Sequence, residues 1–430
     1  MRDLVLLATV LAALPFAVAR PFFGLLLYSW LSYMRPQDHT WTIAGELPLS
    51  QVAALAMVGG LVLARRRERL LAITPQTILL VLLLLWIALS TVTAVLPEVA
   101  ASFGHYWKAI AIALVTTGLV QERQRLRALW IVIAFSLGLL AAKYALHGLV
   151  RGGARFDTGP GGFFLDNNSF AVGLCMVLPM LVAVTLTERS AWVRAAAATM
   201  AVSCVITVVF TFSRGGLLTL VVVGLALLLR SRHRWVSAAL VVVALAGLLA
   251  LGNERLREGY VERISTIADF EEDASAVARL EVWETCWRVF LDYPVLGVGP
   301  DNFEVVFWRY TREGTRFRVA HNAFLQLLTE SGLPALLLFV ALFAVSLWRL
   351  ERVRRGPVPW ASTYAGMLQV SLLAYATGAM FLSLAYVELV YHLIAVCVCV
   401  ELASAGEAAL ARPPRPAPAP WLAPRQAEVA

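Results

Sequence analysis

The chain has 430 residues, of which 60% are hydrophobic and only 15% charged, and its mean hydropathy is +0.75. Soluble domains carry about 25% charged residues, and a single soluble core cannot hide this much apolar surface, so a soluble globular fold is excluded. The net charge of +8 comes from arginines gathered in short loops between apolar runs, which is not the footprint of a nucleic-acid binder.

A helix needs about 20 mostly apolar residues to cross ~30 Å of hydrocarbon. Such runs recur along the chain and predict an all-α polytopic membrane protein with about twelve transmembrane helices. The first stretch, 4–34, holds two short runs split by Arg20-Pro21. It reads as one broken span, with a hairpin as the alternative. A shorter run follows at 49–64, and full-length runs at 73–95, 103–120, 128–149, 168–187, 192–212, 214–229 and 235–252. After a long polar segment come 333–348, 360–381 and 383–402. The expected organisation is therefore an N-terminal set of transmembrane helices (1–252), one large loop (253–332), C-terminal transmembrane helices (333–402) and a Pro-rich disordered tail (403–430).

Alternate loops carry the arginines: 65–69, 121–127, 188–194, 230–234 and 349–355 hold 16 Arg and 4 Glu between them. The positive-inside rule puts these loops, and with them the tail, in the cytoplasm. Loops 35–48, 150–167 and 253–332 then face outward. With twelve spans, parity puts the N-terminus inside as well. Residues 4–19 lack the features of a cleavable signal peptide. Four of the five cysteines lie in apolar runs, and Cys286 stands alone in an outer loop, so disulfides are not expected. No nucleotide, dinucleotide or metal-ligating motif occurs in a suitable context, and no cofactor is expected.

Loop 253–332 is too long for a connector and reads as functional. Within it, Leu280, Trp283, Trp287 and Phe290 recur at helical spacing, an apolar-aromatic stripe suited to the membrane interface. A Gly/Pro turn segment runs from Asp292 to Phe303. Arg309, Arg312, Arg316 and Arg318 then lead into His321-Asn322, and the helix from 322 ends at Gly332, with Pro334 opening the next span. Loop 150–168 carries Arg151 and Arg155 ahead of Asp166-Asn167-Asn168, where either asparagine can cap the next span. The turn Thr211-Phe212-Ser213-Arg214-Gly215-Gly216 puts an arginine between two tight spans at the same face. The two lysines, Lys108 and Lys143, lie near the outer ends of their spans. These cations, with Arg288, are expected to line one outer-leaflet pocket suited to a lipid-linked phosphate or diphosphate.

The TFSRGG turn, the LGVGPDNF segment and the HNAFLQLLTESG run together resemble the O-antigen ligase superfamily of ligases, Wzy-type polymerases and protein O-oligosaccharyltransferases. The N-terminus (MRDLVLLA…RPFFGLLLYSWLSYMRPQ) is similar to the exosortase-associated O-glycosylation ligase subgroup. The resemblance spans nearly the whole chain. It implies a GT-C-like glycosyltransferase in the bacterial inner membrane, with its active site facing the periplasm. Such an enzyme moves a glycan from undecaprenyl diphosphate to a hydroxyl of lipid A-core oligosaccharide, without a metal and with inversion. Carried over by motif, His321 is the general base, and Arg214 and Arg288 are the essential arginines. Arg151, Arg155, Lys143 and Asn322 are expected to assist in substrate binding. A polymerase or protein O-glycosylation ligase uses the same chemistry. A transporter of lipid-linked glycans is the alternative of another class, though transporters spread charges through the midplane and here they gather at one face.

Overall fold

The computed structural model describes residues 2–40, 43–63, 68–99, 101–151, 156, 158–230, 274–311 and 319–410. The predicted span 235–252, Arg155, Arg312, Arg316, Arg318 and residues 411–430 lie outside the described residues. The helices are α1 (Arg2–Ala19), α2 (Pro21–Tyr33), α3 (Leu49–Leu63), α4 (Pro75–Val92), α5 (Ala101–Leu119), α6 (Arg123–Val150) and α7 (Asn167–Thr187). They continue as α8 (Ala191–Phe210), α9 (Arg214–Arg230), α10 (Ala274–Asp292), α11 (Phe303–Phe307), α12 (Ala323–Arg354), α13 (Pro359–Ala379) and α14 (Glu388–Leu410).

Seven of these, α1, α4, α6, α7, α8, α12 and α14, are long and apolar enough to cross a membrane, and α3 is a shorter apolar helix. Lipid-facing surface is plain on α1, α3 and α4, where Leu11, Val62 and Leu85 are exposed. The chain is thus an all-α, multi-pass membrane protein.

Local signals set the helix starts. Thr74 and Thr77 form a reciprocal capping box ahead of Pro75, which needs no amide partner at the first helical position. Asp166 caps α7 by accepting from the Ser169 N–H at 2.9 Å, so the cap is the aspartate and not Asn167 or Asn168. In the middle of the bundle α7 is buried along nearly its whole length and packs on α6, α8, α9 and α13. Small residues allow the close approaches: a Cβ at Gly378 would lie 2.5 Å from Val172. Trp130 stacks on Tyr364 with ring centroids 4.1 Å apart and donates to the Met180 carbonyl.

The two ends of the bundle differ. At the arginine-rich end, Arg125 pairs with Glu68 at 2.9 Å, Arg127 holds Glu188 through two bonds, and Arg349 pairs with Glu401. The opposite end, here called the loop end, carries the turn after α8, the α10–α11 region, and the α13–α14 connection. Polar bonds inside the bundle fix α14: Tyr28 and Ser32 donate to Glu388 at 2.8 and 2.7 Å, and His392 bridges Tyr33 and Thr116.

Two expectations are corrected. Residues 4–34 are not one broken span. Arg20 is extended and separates two helices that run antiparallel: Asp3 at the start of α1 accepts from the Ala44 N–H, beyond the end of α2, at 3.2 Å. This puts the N-terminus at the loop end, opposite to the parity expectation. The last helix starts at Glu388 and not at 383, and continues to Leu410. Residues 380–387 form a non-helical connection whose apolar composition hides it among the flanking spans.

Candidate functional site

The long helix α12 is broken at Gly332, whose φ of 77° and ψ of 177° are non-helical. A glycine is required twice over. The backbone is left-handed, and a Cβ would stand 2.0 Å from the Val295 carbonyl oxygen. A break within a membrane helix frees carbonyls that must be satisfied inside the protein, and each finds a donor. Val298 N–H bonds Thr329 O at 3.0 Å, Gly299 N–H bonds Glu330 O at 2.8 Å, and Trp86 Nε1 bonds Ser331 O at 2.9 Å. Ser90 Oγ adds a second bond to Glu330 O at 2.8 Å. The Leu296–Phe303 segment is therefore laced onto the break. Gly297 and Gly299 supply the positive φ values this needs, 68° and 97°.

Beside it, α10 and α11 form a small core of their own. Val282, Cys286 and Val289 pack on Val298, Phe303, Val306, Phe307 and Ala320. Burial pushes the Cys286 thiol pKa up, so it is an inert packing group. Tyr310 donates to Asp292 at 2.5 Å, and its pKa is pushed up to about 12 by burial and by that carboxylate. The expected stripe of Leu280, Trp283, Trp287 and Phe290 is not the buried face. Leu280 and Trp287 stay about half exposed, free to meet lipid headgroups.

His321 enters α12 from this module. Its φ is +47°, a left-handed conformation that costs a non-glycine residue of order 1 kcal/mol. Four described non-glycine residues have positive φ: Arg35, Phe212, Asp301 and His321. Three of them fall in the TFSRGG, LGVGPDNF and HNAF motifs. The strain at His321 is held from both sides. Trp283 Nε1 donates to the carbonyl of Ala320 at 3.0 Å, and the His321 N–H donates to Ser383 Oγ at 3.0 Å. Asn322 is the N-cap of α12, and its side-chain oxygen accepts from Phe324 and Leu325 N–H. That oxygen is committed to the helix.

Arg214 is the first residue of α9 and is half-buried. The turn before it is fixed by Phe212 at φ +52°, and by Asn167 Nδ2, which donates to Thr211 O at 3.1 Å. Ser213 Oγ accepts from Gly216 N–H at 3.0 Å. Gly216 is tight against α7, with Ala171 Cβ 2.6 Å from a hypothetical Cβ, and Gly215 lies next to Phe381.

The connection 380–387 thus touches each part. Phe381 meets the start of α9, Ser383 holds His321, the Ala385 N–H donates to Gln326 at 3.3 Å, and Tyr386 donates to the buried Glu330 at 2.7 Å. Ser383 and Tyr386 were not anticipated. The available signal was two polar side chains in an otherwise apolar run.

The remaining predicted cations are dispersed. Arg288 points outward on α10 and pairs with Glu284 at 2.5 Å, both side chains being more than half exposed. Lys143 is exposed and faces His39, with its Nζ 3.3 Å from the ring. Burial and the Lys143 charge lower the pKa of His39. Arg151 ends α6, exposed. Lys108 lines a separate cavity between α2, α3 and α5. Among the described residues, no group of three or more His, Cys, Asp or Glu is placed to hold a metal ion.

A strained histidine and an arginine at a helix start, joined through one connection at the end of a multi-pass helical bundle, define the class: an integral membrane protein with a polar site at one end of its bundle. Residues 199–340, which hold both, match the O-Antigen ligase family, and residues 1–172 match a family of unknown function, DUF5935. The match over residues 199–340 supports the O-antigen ligase superfamily and suggests a glycosyltransferase-type enzyme. No curated protein matches the chain.

Proposed function

We propose that the chain is an O-antigen ligase-type glycosyltransferase of the bacterial inner membrane. It crosses the bilayer about thirteen times, with the loop end in the periplasm. It takes a glycan from undecaprenyl diphosphate and transfers it en bloc to a hydroxyl of lipid A-core oligosaccharide. The observation that carries this reading is His321, held left-handed by Ser383 within the matched family residues.

The chemistry follows from the residue types. As the glycosidic bond breaks, negative charge grows on the diphosphate. Arg214 stands at the N-terminus of α9, where the helix dipole and the guanidinium act on an anion together. Arg288 joins it once it leaves Glu284. The acceptor oxygen attacks the anomeric carbon and its proton passes to the His321 imidazole, the side-chain type that most often serves as a general base. Direct attack inverts the anomeric centre. Arg151, Arg155 and Lys143 assist at the rim, and no metal step is invoked. The same chemistry serves a polymerase or a protein O-glycosylation ligase. The N-terminal resemblance to the exosortase-associated subgroup makes the acceptor the open choice between them.

The test is transfer by the purified full chain, given undecaprenyl-diphosphate glycan with lipid A-core or, separately, with a peptide. Product on lipid A-core supports the ligase, product on peptide the protein-directed enzyme, and chain extension with neither the polymerase. His321→Ala should abolish transfer while keeping donor binding, and Arg214→Ala should weaken donor binding. Full activity in His321→Ala would remove the base assignment.

A further inference from the structure

Between α2, α3 and α5, at the loop end, lies a cavity of about 330 Å³. Along α3 and α5 its walls pass from polar to apolar away from the loop end. Nearest the loop end are Arg35, Gln51, His105 and Lys108. Deeper are Ala54, Leu55, Val58, Ala111 and Ile112. From Gln51 to Val58 the helix rises about 10 Å. The deep half opens sideways, because Leu55 is 71% and Val58 45% exposed on the lipid-facing side of α3. The cavity is therefore polar at the level of headgroups and apolar at the level of chains.

Lys108 lies seven residues into α5, about 10 Å along it. Its ammonium sits 5.9 Å from the centroid of the Trp107 ring, and no carboxylate pairs with it among the described residues. A lysine on the wall of a half-apolar cavity, with no carboxylate beside it, suits an anionic group there. Arg35, across the cavity, is held in place by Asp38 through two bonds of 2.6 and 3.2 Å. The carboxylate on the wall, Glu388, accepts from Tyr28 and Ser32 and forms no ion pair with Lys108.

We propose that this cavity binds a phosphate-bearing acyl lipid, with its phosphate on Lys108 and Arg35 and an acyl chain along Leu55 and Val58. A soluble anion does not account for the deep apolar half, and an uncharged lipid does not account for Lys108. Most of the wall belongs to residues 28–164, inside the portion that matches a family of unknown function, and the site gives that portion a task. His321, Arg214 and Arg288 do not line the cavity, so the proposal stands apart from the transfer chemistry.

The test is equilibrium binding of radiolabelled dioleoyl phosphatidylglycerol to the delipidated full chain in neutral detergent. Saturable binding is expected, displaced weakly by dioleoylglycerol (chains only) and weakly by inorganic phosphate (head only). Lys108→Gln should weaken binding about tenfold, and Lys108→Arg should restore it. Leu55→Trp should block it. Elution as a single species with an unchanged thermal midpoint identifies variants that remain folded. Wild-type affinity in folded Lys108→Gln would overturn the proposal, as would non-saturable binding. Undecaprenyl phosphate displacing the label at far lower concentration than the phospholipid itself would also overturn it, by making the occupant an isoprenoid.

Discussion

The backbone N–H of His321 donates to the hydroxyl of Ser383 across 3.0 Å, joining the start of α12 to the connection that opens α14. The two residues are 62 positions apart. The bond matters because His321 occupies a backbone well that its side chain does not favour. Without it, the imidazole loses the restraint that fixes its direction.

Ser383→Ala should therefore lower kcat for glycan transfer by roughly 5–10-fold, since a bond of this kind is worth about 1 kcal/mol. KM for the donor should change little, because Ser383 is not proposed to touch it. Ser383→Thr keeps the hydroxyl and should recover most of the rate. Equal losses in Ala and Thr would mean that packing, and not the hydrogen bond, is what matters.

Replacement of His321 by asparagine separates strain from chemistry. Asparagine tolerates the left-handed region better than histidine does. His321→Asn should unfold at the same temperature as the wild type or higher, while transfer falls by about 10²–10⁴-fold, the range expected for loss of a general base. A less stable but active variant would show that the histidine serves the fold.

The break at Gly332 tolerates no side chain. Gly332→Ala combines positive φ with a collision against Val295 O, and should destabilise the protein by roughly 3 kcal/mol or more. The expected readout in detergent is a lowered thermal midpoint or failure to elute as a single species. Ala at Gly59, where a Cβ meets nothing within 4 Å, is the matched control.

Much of this was legible from residue order alone. Gly332 followed by Pro334 marked the break, and the HNAF, TFSRGG and LGVGPDNF words marked the segments in which three left-handed residues are found. What stayed hidden depends on tertiary packing. Leu384-Ala385-Tyr386-Val387 has the hydropathy of a span, so the connection that carries Ser383 read as membrane helix. At 13 residues, α2 is too short to read as a span of its own, so the hairpin stood only as the alternative. Arg288 faces outward because Val282, Cys286 and Val289 take the buried side of α10, and an aromatic stripe of equal strength had pointed to another face.

The Arg288–Glu284 pair gives a test of the arginine's proposed role. An exposed pair is worth at most about 1 kcal/mol, so Glu284 holds Arg288 only lightly. If Arg288 moves onto the donor diphosphate, Glu284→Gln removes a competitor and should tighten donor binding by about 2–3-fold. Arg288→Ala should weaken it without changing the thermal midpoint. An unchanged dissociation constant in both variants would confine Arg288 to the surface.

His39 offers a pH-dependent readout of the loop end. Burial is the larger cause of its lowered pKa and the Lys143 ammonium the next, while Asp38 opposes them. The folded protein therefore resists protonating His39. Above about pH 6.5, the ordinary histidine value, the group contributes nothing to the pH dependence of stability. As pH falls below that value, the unfolded chain takes up the proton first and the folded state loses stability. Modification of His39 by diethylpyrocarbonate, followed by mass spectrometry, should titrate with a midpoint below the ordinary value. Lys143→Met should move that midpoint upward but not fully back, because burial remains. A midpoint unmoved by Lys143→Met would mean that the 3.3 Å contact with Lys143 does not hold in solution.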